Sequence, residues 1–285
     1  MIEIEFKDRI VEFPNRYAMA DNGDGTYTLT PFPGEVSEVG TPINAANMNT
    51  LTNAVRNALV REFRFTSSGA WICPEGVAFA DVWCVGGGGS GGASSGPDSD
   101  GPGGGGTGGE CNLFSVPVNP GQVYEIVVGD AGGYSQFGSA SYRSNGGADG
   151  AKNSPFGGGC AGGALSTTAN GIGGIPQCIN PYDGIPYAGG GGAGHASVGG
   201  NGGICGGGGG GARLGTGGEG ALSYNGFAGG ESGSANSESP RGGAGGTNTG
   251  AGGGGAGRAA SNFNAGGGIG GSGIVIIYYR QILNV

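Results

Sequence analysis

Apolar and polar positions alternate near the start of the chain, and the pattern then becomes helical. Between Ile2 and Lys7, apolar residues alternate with charged ones, which is the two-residue period of a half-buried strand. Within 41–60, apolar residues recur every three or four positions, which predicts an α-helix with Thr41 as its N-cap. We therefore assign residues 1–62 to an N-terminal region that contains one short helix.

From Phe63 onward the pattern predicts β-strands. Four stretches are rich in the β-branched and aromatic residues that favour strands. We predict a mainly β fold in which 63–130 forms a β-sandwich-like anchor, closed by a C-terminal strand within 274–285. The four stretches are Val77–Val85, Leu113–Val118, Val123–Val128 and Ile274–Arg280.

Between these strands the composition changes to glycine. The chain has 76 glycines among its 285 residues; six precede residue 86 and none follows residue 273, which leaves 70 for 86–273. An ordinary protein has about 7% glycine. The glycines lack the three-residue repeat of collagen. They also have no side chains to bury, so one large conventional core is excluded for this stretch.

Polyproline-II helices offer such a stretch an ordered structure. They point every backbone N–H and C=O group outward, so glycine helices can approach closely and hydrogen-bond to one another. We predict a bundle of glycine-rich polyproline-II helices over 131–273, together with 86–109, as a long insertion in the β-anchor. The alternative is a disordered linker, which gives no reason for aromatic residues to recur throughout the stretch.

Charge and targeting signals exclude several classes of partner. The formal net charge is −9 and the chain has no run of basic residues, so we expect no nucleic-acid partner. No apolar stretch approaches the roughly 20 residues that cross a bilayer, so we expect no membrane insertion. No signal peptide is visible, so synthesis in a cytoplasm is expected.

Six cysteines leave the redox state open. In a chain that folds in a reducing cytoplasm, buried thiols are favoured over three disulfides, although both remain possible. They stand at Cys73, Cys84, Cys111, Cys160, Cys178 and Cys205.

Catalytic motifs arise here from the glycine excess. Gly88–Gly92 fits the G-x-S-x-G pattern of a hydrolase nucleophile, but it lies in a glycine run and His195 is the one histidine of the chain. We expect no enzyme, no cofactor and no metal. Two pairs of carboxylates could bind calcium if the fold joined them, although solvated turn carboxylates are favoured: Asp98 with Asp100, and Asp149 with Asp183.

The order of the motifs in residues 63–280 resembles a known family. Val82-Trp83-Cys84-Val85 precedes four glycines, Val118-Asn119-Pro120-Gly121-Gln122 follows, and Gly270–Tyr279 closes the series. This succession resembles the glycine-rich domain at the tips of bacteriophage and prophage tail fibres and in some bacterial surface proteins. The N-terminal motifs, from Phe6-Lys7-Asp8-Arg9 through Asp21–Tyr27 to Gly40–Asn47, are similar to the leaders of prophage tail proteins from Gram-positive bacteria.

The resemblance implies a protein of the virion tail. Residues 1–60 would dock on tail or baseplate proteins, and the glycine-rich part would meet the host surface. Such fibres are commonly trimeric, which would give the short helix its partners. The family supplies no catalytic residues.

Receptor binding through loops on a rigid glycine-rich scaffold is the function that these observations favour, with a glycan or protein of the bacterial surface as receptor. The same aromatic residues could instead pack between glycine helices. Two further alternatives are a fibre shaft or cell-surface matrix protein without a receptor, and an ice-binding protein, for which the regular threonine array is missing. The predicted receptor contacts are Tyr182, Asp183, Tyr187, His195, Tyr224 and Phe227.

Overall fold

The computed structural model divides the chain into two compact units, Met1–Leu59 with Leu283–Val285, and Val60–Ile282. All structural statements below concern the residues that it describes. These are 10–38, 47–49, 51–52, 60–95, 101–153, 178–204, 206–221, 230–235 and 237–281.

The N-terminal unit contains two small antiparallel pairs of strands. Strand β1 (Ile10–Val11) pairs with β4 (Val36–Glu38), and β2 (Tyr17–Asp21) pairs with β3 (Tyr27–Pro31). In the turn that joins β2 to β3, the Asp24 carboxylate accepts a hydrogen bond from the backbone N–H of Thr26 at 2.9 Å.

Part of the predicted N-terminal structure lies outside the described residues. Residues 47–49 and 51–52 are helical, inside the predicted helix of 41–60, and most of that helix is not described. The expected strand between Ile2 and Lys7 is also outside.

The second unit is built on antiparallel strands, and its only described helix is one 3₁₀ turn, Ala140–Tyr142. The strands are β5 (Arg61–Phe65), β6 (Gly69–Ile72), β7 (Phe79–Val85), β8 (Ser94–Ser95), β9 (Cys111–Pro117), β10 (Val123–Val127), β11 (Ser135–Phe137), β12 (Arg143–Ser144), β13 (Cys178–Ile179), β14 (Pro186–Tyr187), β15 (Asn264–Ala265) and β16 (Ile274–Tyr279).

Two four-stranded sheets carry most of the hydrophobic core. One has the strand order β5-β16-β7-β9 and the other β12-β11-β10-β6. The final strand, β16, therefore lies between two strands from the start of the unit, with Ile276 opposite both Arg64 and Trp83. The buried cluster between the sheets takes side chains from each of them: Trp71, Ile126 and Phe137 from one, and Val82, Val275 and Ile277 from the other. The mainly β prediction is confirmed.

The opposite face of β7 and β16 is also buried. Trp83, Ile274 and Ile276 form a second cluster with Ile185 and Tyr187, which come from the hairpin β13–β14. Burial on both faces explains why β16 is apolar without interruption, since an exposed face would favour alternation.

Two strands of the β-structure, β11 and β12, lie within the range 131–273 that the sequence predicts to be glycine-rich. Strands β11 and β12 pair with each other, and β11 pairs with β10. The Phe137 side chain is fully buried in the cluster to which both sheets contribute. An extended glycine-rich segment follows β12 from residue 145.

Elsewhere in the described part of this unit, the chain forms extended glycine-rich segments that belong to neither helices nor strands. Their N–H groups donate to carbonyl oxygens of other segments at intervals of three residues, as in Gly86 to Glu110, Gly89 to Thr107 and Gly92 to Gly104. We number the described segments 1 (86–92), 2 (103–110), 3 (145–151), 4 (188–194), 5 (199–203), 6 (207–212), 7 (216–221), 8 (230–234), 9 (241–246), 10 (250–257) and 11 (266–272).

Segment 10 lies at the centre of this array. Gly252 donates to segment 4, Gly253 to segment 1 and Gly254 to segment 9. The next three residues repeat this order, with one difference: the last of them donates to Pro240, just before segment 9. Segments 2, 6 and 11 in turn donate to carbonyl oxygens of segment 10. Six neighbours thus surround one backbone, and each successive residue faces a different one.

Contact between these backbones leaves no room for side chains. A Cβ atom on Gly254 would overlap the carbonyl oxygen of Gly209, and a Cβ atom on Gly88 would overlap that of Ala251. At most glycines of segments 1 to 11, an added Cβ atom would likewise overlap a carbonyl oxygen of a neighbouring chain segment. Glycine is therefore required here by the close approach of neighbouring chains.

The preference for buried thiols is wrong for two of the cysteines. Cys111 and Cys178 form a disulfide with a Cα–Cα distance of 6.2 Å, because the fold sets the hairpin β13–β14 beside the start of β9. Cys73 and Cys84 are buried free thiols, and burial raises the pKa of Cys84 to about 12. Cys160 and Cys205 lie outside the described residues.

We expect Gly254→Ala to destabilise the protein by about 3 kcal/mol or more, because the new methyl group forces segments 6 and 10 apart. Urea unfolding measures the effect. Gly266→Ala is the matched control: nothing lies within 4 Å of its added Cβ, so its stability should stay within about 1 kcal/mol of wild type. Equal stability of the two variants would contradict the close packing of segment 10.

Candidate functional site

The directions of the segments place their connecting loops at two ends. Between segments 10 and 1, donor and acceptor advance together, from Gly253–Gly89 to Ala256–Gly92, so the two segments are parallel. Between segments 10 and 2 they advance in opposite senses. The hydrogen bonds between the other segments give their directions in the same way. Segments 1, 3, 4, 6, 8 and 10 run away from the sheets, and segments 2, 5, 7, 9 and 11 run back toward them.

A set of loops consequently gathers at the end remote from the sheets. We call them the distal loops; their described parts are 93–95, 101–102, 152–153, 195–198, 213–215, 235, 237–240 and 258–265. Strands β8 and β15 pair within this set. Further backbone hydrogen bonds join Leu214 to Ala196 at 2.8 Å and Ala260 to Glu238 at 2.9 Å. The distal loops therefore form one connected surface.

His195 lies in the distal loops, directly after segment 4. Its Nδ1 atom accepts hydrogen bonds from the backbone N–H groups of Ser197 at 3.0 Å and Val198 at 3.3 Å. An accepting Nδ1 places the proton of the neutral ring on Nε2. The imidazole is thus oriented by its own turn, with Nε2 as its donor.

Three of the predicted receptor contacts lie instead at the sheet end, in the hairpin β13–β14. Tyr187 has 0% exposure, and its ring centroid is 6.1 Å from that of Trp83. Asp183 forms an ion pair with Arg64 at 3.3 Å and accepts the N–H of Ile185. These side chains fasten the hairpin to the sheet, and Tyr187 offers no exposed surface to a ligand.

Tyr182 has one exposed face and one packed face. Its ring stacks on Tyr278 with centroids 4.1 Å apart, and its hydroxyl group donates to the carboxylate of Asp81. Desolvation of the hydroxyl group, followed by this hydrogen bond, raises the pKa of Tyr182 to about 12. Asn180 completes the attachment by donating to the Tyr278 hydroxyl oxygen at 2.7 Å.

The structure therefore separates the predicted site residues. Tyr182, Asp183 and Tyr187 lie together at the sheet end, and His195 lies at the distal end of segment 4. Tyr224 and Phe227 fall outside the described residues.

The two predicted calcium pairs are not assembled among the described residues. Asp149 accepts the N–H of Ser90 at 2.7 Å between segments 3 and 1, whereas Asp183 is in the hairpin at the sheet end. Asp98 and Asp100 are not described. In the described part of the chain, no group of three or more His, Cys, Asp and Glu residues could hold a metal. No described helix is long and apolar enough to span a bilayer.

A family model described as a glycine-rich domain covers residues 65–280, well over half of the chain. The chain belongs to the glycine-rich domain family. No curated protein matches it. The matched range starts at the last residue of β5 and ends just after β16, so the glycine-rich domain includes the other seven strands of the two sheets as well as the segments between them.

Sequence reasoning missed exposed apolar residues on the distal loops of the glycine-rich domain. Leu214 is 71% exposed and Phe263 is 43% exposed. Their position in the sequence could have revealed them, because Leu214 follows shortly after the six glycines of 206–211. A large residue at the end of a glycine run stands where a segment ends and side chains can extend.

We expect the glycine-rich domain to lose stability at alkaline pH. The pKa of Tyr182 is raised from 10.0 to about 12, so the fold favours the neutral hydroxyl group. This stabilisation is complete below pH 10 and is lost as the pH rises through about 12. Tyr187 and Tyr278, whose pKa values burial also raises, add to the loss.

Urea unfolding at pH 8 and pH 11.5 measures this dependence. Tyr182→Phe removes one ionisable group and should lose less stability between the two pH values than wild type. An identical loss in both proteins would contradict the assignment to Tyr182.

Proposed function

We propose that this protein is a receptor-binding protein of a bacteriophage tail fibre, carried on the virion tail, and that its distal loops contact the bacterial surface. The observation that carries the proposal is the collection of these loops at one end of the segments, remote from the sheets. Loops held on a rigid scaffold are a common location for binding residues. The receptor would be a surface glycan or protein.

We further propose that the segments are polyproline-II helices and that the two sheets form a sandwich-like anchor. A polyproline-II helix has three residues per turn, so successive N–H groups face three different neighbours. The three-residue period and the six neighbours of segment 10 support this geometry. No glycine from Gly252 to Gly257 has a φ between +20° and +160°, which also agrees with it.

For the N-terminal unit we propose docking on tail or baseplate proteins, within a homotrimeric fibre. The hairpin β2–β3 supports the docking. Tyr17, Met19, Tyr27 and Leu29 alternate along its strands and are 55–67% exposed, with Met19 directly opposite Leu29. An exposed apolar face of this kind marks a surface for a protein partner.

Receptor binding by the distal loops is tested by replacing two of their exposed apolar residues together, Leu214→Ser with Phe263→Ser. Both side chains are exposed, so the fold should tolerate the change. We expect at least a tenfold loss of binding to bacteria that the wild-type protein labels, measured by flow cytometry with fluorescent protein. Loss of the exposed apolar area at the tip is the physical reason.

Ile179→Ser is the matched control, since Ile179 is 62% exposed at the sheet end. It should bind like wild type. Met19→Glu should also keep cell binding while losing incorporation into particles. Normal labelling by the distal double variant would contradict binding by the distal loops. Wild-type protein that labels no bacterium would support a shaft without a receptor.

A further inference from the structure

Basic residues are scarce in the glycine-rich region, and all of them lie at its distal end. The chain has a formal net charge of −9, yet the four Lys and Arg residues between 145 and 273 each adjoin the outer end of a segment. Lys152 follows segment 3, Arg213 follows segment 6, Arg258 follows segment 10, and Arg241 begins segment 9. The distal loops thus differ in charge from the rest of the protein.

Backbone hydrogen bonds bring three of these residues and His195 side by side. Segments 4, 6 and 9 each bond directly to segment 10, so His195, Arg213 and Arg241 surround Arg258. The N–H of Arg258 itself donates to the carbonyl oxygen of His195 at 3.3 Å. Hydrogen-bonded extended backbones lie about 5 Å apart. The backbones that carry His195, Arg213 and Arg241 therefore lie within about one Debye length of the Arg258 backbone at physiological salt.

The Arg258 guanidinium group has an unmet requirement. Its Nε atom is buried and has no hydrogen-bond partner among the described residues. Neither Arg258 nor Arg241 forms an ion pair with a described carboxylate. Arg258 as a whole is half-buried, so its terminal guanidinium N–H groups, which are not among the buried unpartnered atoms, are the donors that an anionic oxygen can reach.

Acidic groups near this cluster are few among the described residues. Glu238 is exposed in the distal loops, and its backbone oxygen accepts from Ala260. Asp149, in segment 3, is engaged by the N–H of Ser90. Asp98 and Asp100 belong to the loop after segment 1 but lie outside the described residues.

From this juxtaposition we propose that the distal loops bind an anionic surface glycopolymer, a sugar chain that carries phosphate or carboxylate groups. Arg258 is the central contact, with Arg213 and Arg241 beside it. Planar guanidinium groups suit these anions because they can donate two parallel hydrogen bonds. Phe263, in the same loop as Arg258, supplies an aromatic face for a sugar ring. The proposal rests on the proposed function and names the chemistry of its receptor.

The first test measures binding of the purified full-length protein to three immobilised probes by biolayer interferometry. Long-chain inorganic polyphosphate presents phosphate, polygalacturonate presents carboxylate on sugar, and dextran is the neutral control. We expect binding to at least one anionic probe and none to dextran. The affinity should fall at least tenfold between 50 and 500 mM NaCl, because salt screens the charges. Absence of binding to both anionic probes would overturn the proposal.

Variants locate the site. Arg241→Gln with Arg258→Gln should weaken binding to the anionic probe at least tenfold. Arg280→Gln is the control, an exposed arginine just after β16 at the sheet end, and should bind like wild type. If the double variant fails to fold, Lys152→Gln with Arg241→Gln replaces it, since both side chains are exposed. Equal binding by the distal variant and Arg280→Gln would overturn the proposal.

Cell labelling separates this proposal from the proposed function. Loss of labelling in Arg241→Gln/Arg258→Gln supports both. If that variant still labels bacteria while Leu214→Ser/Phe263→Ser does not, receptor binding stands and the anionic receptor is overturned. If wild type binds polyanion but labels no bacterium, the anion site stands and the proposed function fails.

Discussion

The structure depends on backbone hydrogen bonds between chains that lie too close together for side chains. In segment 10, every N–H group from Gly250 to Gly257 has an acceptor, and all but one of these acceptors is a carbonyl oxygen on another part of the chain. Buried backbone groups without partners are rare and costly. Glycine is needed because a Cβ atom on Gly254 would overlap the carbonyl oxygen of Gly209, which itself accepts a hydrogen bond from Gly243. Cohesion that ordinarily comes from apolar side chains comes here from the main chain.

The strands of the sheets continue directly into the glycine-rich segments along the chain. Strand β7 ends at Val85 and segment 1 begins at Gly86, while segment 11 leads into β16. Strand pairing between β7 and β16 therefore aligns the first and last segments, and the disulfide between Cys111 and Cys178 joins β9 to the hairpin that covers the sheet. Large side chains are free to extend where segments end. The arrangement thus concentrates side-chain chemistry at the distal loops.

The strands were predictable because their apolar patterns are local, as in Leu113–Val118 and Ile274–Arg280. Partner choice among the glycine segments was not, since a run of glycines carries no side-chain pattern that names its neighbour. The same limit applies to the candidate site. Tyr187 and His195 are only eight positions apart, yet segment 4 takes them to opposite ends, one into the core and one onto the distal loops. The disulfide between Cys111 and Cys178 was likewise not predictable from the sequence, because it depends on where the fold places the hairpin β13–β14.

Amide hydrogen exchange of segment 10, measured by mass spectrometry or NMR, tests the central claim most directly. If its backbone is hydrogen-bonded to surrounding segments, the amides of 252–257 should exchange at least a thousandfold more slowly than those of an unstructured glycine peptide. Exchange at the rate of that peptide would mean that the segments do not hydrogen-bond to one another. The rigid support for the distal loops would then be absent.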